Sequence, residues 1–180
     1  MFRRCYGNPG LVNTRVLPLL LAASVFILDR FTKVWIEANV ELYGSFSVIP
    51  GFFNIVHTKN RGAAFGMFAD SDHPLRTVLL VGISLVVLVF VAVALLHPRR
   101  AGFLPSRPTL FGLSLVLGGA LGNIYDRVVF GQVTDFLEFY HGAYRFAAFN
   151  VADSAITVGA GLLILDMWLN RKHSDVAQTN

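Results

Sequence analysis

From Val16 the chain is apolar through Leu28, and Phe31, Val34, Trp35 and Ile36 carry the helical spacing past Asp29, predicting a first membrane span over about 16–36. Thr77 to Leu96 is the clearest span (77–96), and nothing inside it suggests chemistry. A third run, 109–125, is rich in small residues (Gly112, Ser114, Gly118, Gly119, Gly122), and a fourth, 151–169, carries Ala155, Gly159, Ala160 and Gly161. In membrane helices such residues let neighbouring backbones approach closely. Two segments, 37–76 and 126–150, lack a spanning pattern. In the first, Phe46, Val48 and Ile49 precede Pro50-Gly51, and Phe52, Phe53, Ile55 and Val56 follow, which predicts short strands about a turn. The next stretch, His57 to Phe68, holds Gly62, Ala63, Ala64 and Gly66 and reads as a packed turn or a short re-entrant element. In the second segment, apolar residues around Asp135 (Val133, Phe136, Leu137) suggest a half-buried strand or a membrane-hugging turn. The expected fold is an all-α membrane protein of four transmembrane helices with a small extracytoplasmic β-sheet region, forming a single integral membrane domain over 1–180.

Composition agrees with this pattern. Of 180 residues, 54% are hydrophobic and 14% charged, and the mean hydropathy is +0.59; an ordinary soluble domain is less apolar. The net charge of +4 does not call for nucleic acid, because the basic residues sit at the ends of apolar runs, where orientation and lipid headgroups account for them. Arg3, Arg4, Arg15, Arg99, Arg100, Arg107, Arg171 and Lys172 crowd into the short tails and the 97–108 loop, which places those segments and both termini in the cytoplasm. The single cysteine, Cys5, excludes an intramolecular disulfide. The first run lacks a convincing cleavage site and is expected to be retained.

With that orientation Asp29, Asn60, Asp126, Asp135, Asn150 and Asp153 all fall at the outer face, at similar depth. Ionisable groups at such a boundary are retained for a task or paired with a partner. Structural readings compete at most of these positions. Asp29 and Lys33 are four apart, the spacing of a local ion pair. Asn150 can cap the fourth span, with Asp153 favoured in its first turn by the helix dipole. Asp126 and Arg127 can lock a helix end together. Asp135, in apolar surroundings, needs a partner or a raised pKa. His57, His73 and His141 lie near these aspartates, but no H-E-x-x-H or comparable metal spacing is present, and no serine or cysteine stands in a nucleophile motif. Asp166, near the inner end of the fourth span, reads as a helix partner. A small transporter or proton relay would need acidic groups spread through the membrane depth, whereas these gather at one face. A scaffold subunit would leave Asp135 and Asp153 replaceable.

In order along the chain stand D-x-x-x-K (Asp29 to Lys33), N-x-G-A-A-F (Asn60 to Phe65), G-N-x-x-D-R (Gly122 to Arg127), V-x-D-F (Val133 to Phe136) and F-N-x-A-D-S (Phe149 to Ser154). This succession, within a four-span layout, resembles bacterial lipoprotein signal peptidase, the signal peptidase II family, over Val16 to Arg171. The resemblance implies an intramembrane aspartyl endopeptidase of the bacterial cytoplasmic (inner) membrane. It would remove signal peptides from diacylglyceryl-modified prolipoproteins, cutting before the lipid-bearing cysteine. It implies Asp135 and Asp153 as the catalytic dyad, with Asp126 the rival for the first role. Asp29, Lys33, Asn60, Gly62, Asn123, Asp126, Arg127, Asn150 and Ala152 are implied as substrate-binding or supporting residues, the asparagines as amide partners for the substrate backbone. Arg61 departs from the family pattern, where a smaller polar residue is expected. The expected partners are the prolipoprotein and membrane lipids, with no nucleic acid, metal or cofactor, and the chain is expected to act as a monomer. A β-sheet cradle and a lid-like segment are implied within 41–72 and 136–149.

Overall fold

The computed structural model describes residues 10–61, 74–97, 101 and 106–178. Gly62 and the small-residue stretch to Phe68 lie outside the described residues, as do Cys5, His73, Arg99 and Arg100. The described residues form four helices, α1 (Gly10–Asn39), α2 (Pro74–Leu96), α3 (Arg107–Phe130) and α4 (Val151–Gln178). Four strands accompany them: β1 (Ser45–Ile49), β2 (Phe53–Asn60), β3 (Val133–His141) and β4 (Tyr144–Arg145). Arg107–Phe130 and Val151–Asn170 are long and apolar enough to cross a membrane, and Val81–Leu96 is a shorter apolar helix segment.

Each expected span lies inside one of these helices, and each helix outruns its span. α1 continues past Ile36 to Asn39, and α3 continues past residue 125 to Phe130, so Asp126 and Arg127 are helical rather than part of a loop. Asp126 is carried inside α3, where its carboxylate pairs with Arg30 and Lys33 of α1. The stop is Gly131, which adopts φ 71° and donates its N–H to Arg127 O, a left-handed cap that glycine accepts without a Cβ penalty. At the other end Ser106 caps α3, its hydroxyl accepting from the Thr109 N–H at 3.1 Å.

α3 packs against α1, α2 and α4, and its glycines set how closely. A Cβ on Gly119 would stand 2.4 Å from the Ala152 carbonyl oxygen of α4, and one on Gly118 2.5 Å from the Ala22 carbonyl oxygen of α1. Gly112 and Gly159 face each other across α3 and α4 in the same way. The small residues therefore serve backbone contact, as their spacing suggested. Gly161 is the exception, with open space around it. Around Ala22, Val91, Ala94, Leu113, Val116 and Leu117 the helices enclose an apolar core.

The sheet is antiparallel in the order β1-β2-β3-β4. β1 and β2 form the hairpin about Pro50-Gly51, with Gly51 at φ +79°. β3 pairs with β2 through Thr58↔Asp135, Lys59↔Thr134 and Asn60↔Val133. One face of β3 is fixed to α1: Phe136 packs with Ile36 and Val40, and the Thr134 hydroxyl donates to Glu37 Oε1 at 2.5 Å. Because successive side chains alternate across a strand, Asp135 is turned to the other face. The sheet is thus more than an appendage to an all-helical bundle: it fixes the direction of the Asp135 side chain.

Candidate active site

The two segments between helices bring Asp135 and Asn60 together by register. Asn60 is two positions beyond Thr58, the partner of Asp135, so the two side chains are diagonal neighbours on one face. Asn60 Nδ2 donates to Asp135 Oδ2 at 2.9 Å. The other oxygen, Oδ1, accepts from Asn150 Nδ2 at 2.7 Å.

Asn150 and Asp153 cap α4 reciprocally. The Asp153 N–H donates to Asn150 Oδ1 at 2.9 Å, and the Asn150 N–H donates to Asp153 Oδ2 at 3.3 Å. This is the capping-box arrangement built from Asn and Asp. From α3, Asn123 Nδ2 donates to Asp153 Oδ1 at 2.7 Å. All four carboxyl oxygens of Asp135 and Asp153 are therefore held by asparagine N–H groups, and the Asn150 side chain spans from one aspartate to the other. Asn150 thus caps α4 as expected, and the same side chain reaches Asp135. The asparagines expected as partners for a substrate backbone each engage a carboxylate here.

Asp135 is nearly fully buried, at 2% exposure. Burial pushes its carboxyl up to about 6, and the negative charge of Asp153 adds to the rise, while the Asn60 and Asn150 amides and Lys33 oppose it. A carboxyl so placed holds or yields a proton near neutrality, as acid/base chemistry requires.

Beneath this pair lies a buried ionic cluster. Lys33 Nζ is 2.7 Å from Asp29 Oδ2 and 2.8 Å from Asp126 Oδ2, and it also donates to Asn123 Oδ1 at 3.2 Å. Arg30 pairs with the other oxygen of Asp126, its guanidinium lying 4.8 Å from the centre of the Tyr125 ring. Two cations meet two carboxylates, so the cluster is neutral overall, which is how buried charges are tolerated. Asp29 Oδ1 accepts the Ala152 N–H at 2.9 Å, tying the first turn of α4 to α1. Gly122 makes this possible, since a Cβ there would stand 2.5 Å from Asp29 Oδ2.

This geometry corrects two expectations. Asp126 is paired with Lys33 and Arg30 rather than locked to Arg127, and with both its oxygens facing those cations it is not the group that shares asparagines with Asp153. Arg127 instead lies in the field of Asp153, Asp135 and Asp126, with Asp153 the strongest of the three. Arg61 reaches Gln132 Oε1 at 3.5 Å. Asp166 is a helix partner as read, accepting from Ser106 Oγ at 2.7 Å and Thr109 Oγ1 at 2.6 Å.

Sequence reasoning missed Arg30 as a partner of Asp126. It also missed the Glu37–Lys59–Thr134 triad, in which Lys59 Nζ donates to Glu37 at 2.5 Å and to Thr134 Oγ1 at 2.8 Å. The only signal available for the triad was polarity recurring at the outer end of the first span, which does not specify a partner.

Buried aspartates clasped by amides at the end of a bundle of apolar helices fit one class of protein, the aspartic peptidase of a membrane. A family model described as signal peptidase (SPase) II, peptidase family A8, matches residues 21–169, and the chain belongs to that family. It is similar to a lipoprotein signal peptidase of Solibacter usitatus, 49% identical over 147 residues that cover 82% of this chain and 87% of that one. It is also similar to one of Cupriavidus taiwanensis, 47% identical over 154 residues, covering 86% and 84%. Among solved structures it resembles a bacterial membrane enzyme determined by the in meso method at 2.3 Å, with a TM-score of 0.75 and 30% identity over 87% of this chain and 90% of the other. A second such structure, at 1.9 Å, gives a TM-score of 0.72 and 32% identity, covering 84% and 92%.

Proposed function

We propose that this enzyme, a lipoprotein signal peptidase, cleaves the signal peptide from diacylglyceryl-modified prolipoproteins before the lipid-bearing cysteine, with Asp135 and Asp153 as its catalytic pair. The observation that carries the reading is the Asn150 bridge: its side-chain amide donates to the Asp135 carboxyl and its backbone N–H to the Asp153 carboxyl, joining a strand and a helix in one hydrogen-bonded unit. Two neighbouring carboxylates do not both ionise cheaply, so in this mechanism one member is protonated and the other ionised. The ionised member takes a proton from a water as that water attacks the scissile carbonyl. The protonated member polarises the carbonyl oxygen and then supplies a proton to the leaving nitrogen, so the unit returns with its single proton. No metal enters this cycle.

In the same reading α1–α4 cross the bacterial cytoplasmic membrane as one domain with both termini in the cytoplasm. The carboxylates and the sheet then stand at the outer face, where the substrate's acyl chains enter from the bilayer and the enzyme acts as a monomer. Lys33, Asp29 and Asp126 support the site by holding Asn123 and the first turn of α4, and Arg127 supports it through its field. Nothing in this chemistry calls for nucleic acid.

The test is cleavage of a diacylglyceryl-modified prolipoprotein by the purified protein, beside Asp135→Asn, Asp153→Asn and a precursor lacking the lipid. Each asparagine variant is expected to lose about 10²–10⁴-fold in kcat, and the unlipidated precursor to be left uncut. Normal turnover by either variant would end the dyad assignment. Loss of activity on adding a chelator would replace it with a metal mechanism.

A further inference from the structure

At the end of the bundle away from the carboxylates, α1 and α3 leave a cavity of about 610 Å³ between them. It lies far from the chemistry: Arg107, at its mouth, precedes Asn123 on α3 by a rise of roughly 24 Å. Leu17, Leu20 and Leu21 form one wall, Leu110 and Phe111 the other. The two hydroxyls that also line it are already satisfied within their own helices, Ser24 Oγ donating to Leu20 O and Ser114 Oγ to Leu110 O, each bond 2.7–2.9 Å. No polar atom in the cavity therefore asks for a polar ligand, and its walls suit a hydrocarbon chain.

The one charged residue lining it is Arg107, which is exposed and has no carboxylate partner among the ion pairs of the described residues. Asp166, the carboxylate bound to Ser106 and Thr109, sits on the side of α3 that faces α4 rather than on the Arg107–Leu110–Ser114 stripe. A guanidinium over an apolar trough matches an anion carried on a hydrocarbon chain. A free phosphate would rest against leucines, and a signal peptide's leading segment is positively charged, the same sign as Arg107.

We infer that this cavity is a binding site for an anionic phospholipid of the leaflet opposite the active site, one acyl chain lying between α1 and α3 and the phosphate on Arg107. The site is separate from the substrate's own lipid and from the aspartate pair.

Native mass spectrometry of the full chain in detergent, offered equimolar phosphatidylglycerol and phosphatidylcholine with the same acyl chains, tests it. Wild type is expected to retain phosphatidylglycerol preferentially, and Arg107→Gln to lose that preference about fivefold, the worth of one basic contact. Leu110→Trp, which fills the cavity, should reduce retention of both lipids, while prolipoprotein cleavage by Arg107→Gln stays at the wild-type level and reports an intact fold. Equal retention of the two lipids by wild type, or unchanged preference in Arg107→Gln, overturns the inference. So does displacement of the lipid by inorganic phosphate alone, or capture of a substrate signal peptide by a photo-crosslinker at Phe111.

Discussion

Asn150 Nδ2 lies 2.7 Å from Asp135 Oδ1 while the same side chain's oxygen, 2.9 Å from the Asp153 N–H, caps α4. One residue therefore does two things that mutation can separate. Serine caps a helix about as well as asparagine but is too short to reach Asp135. Asn150→Ser and Asn150→Ala should both lose about 10²-fold in kcat, as expected when a preorganised hydrogen-bond donor is removed. The alanine variant should be the less stable by about 1 kcal/mol, the worth of the cap. Cleavage kinetics and denaturation midpoints measured together would show it, and full activity in Asn150→Ser would remove the bridge from the mechanism.

Asp135 titrates at about 6 for reasons that carry opposite signs. Its neighbour Asp153 raises the value, so Asp153→Asn should lower the midpoint. The Asn60 amide lowers it, so Asn60→Ala should raise it. Infrared detection of the protonated carboxyl band reads both without needing activity. The rise also has a stability consequence. The folded state keeps a proton that the unfolded chain would release, so this group's contribution is complete below about 3.8 and is lost as pH climbs through about 6. An Asp135→Asn variant should therefore show a flatter stability profile across that window.

Lys33 stands between Asp29 and Asp126, both buried. Lys33→Met would leave two carboxylates facing each other with only Arg30 to compensate, at a cost of about 3–5 kcal/mol. Adding Asp29→Asn to Lys33→Met should recover part of that loss, because it removes one of the stranded charges. A double-mutant cycle on thermal midpoints checks the coupling, and strict additivity would mean that the cluster is not acting as a unit.

Gly122 and Gly131 make a matched pair of tests. A methyl on Gly122 meets Asp29 Oδ2 at 2.5 Å, whereas one on Gly131, at φ +71°, meets nothing within 4 Å. Gly122→Ala should destabilise by about 1–3 kcal/mol through overpacking and also depress cleavage, since Asp29 holds the first turn of α4. Gly131→Ala should cost about 1 kcal/mol from the left-handed backbone alone and leave turnover intact. Equal effects on turnover would argue against the Asp29–Ala152 link.

Much of this protein was legible from residue order. The apolar runs located all four helices because burial or lipid contact demands long unbroken hydrophobic stretches. The small residues of α3 announced close packing, and the Pro50-Gly51 pair announced the hairpin. The recurrence of aspartate and asparagine at one end of the runs marked the polar cluster that the structure brings together. Pairing was what residue order left open. Asp126 stood beside Arg127 in sequence, yet helical geometry turned it toward Arg30 and Lys33, while the left-handed Gly131 ended α3. The β2–β3 register set Asn60 diagonal to Asp135, and the anchoring of Phe136 and Thr134 on α1 turned Asp135 toward Asn150. Periodicity in one chain says which face a residue occupies; only the packed structure, where charges must find partners and amides must be satisfied, decides whom that face meets.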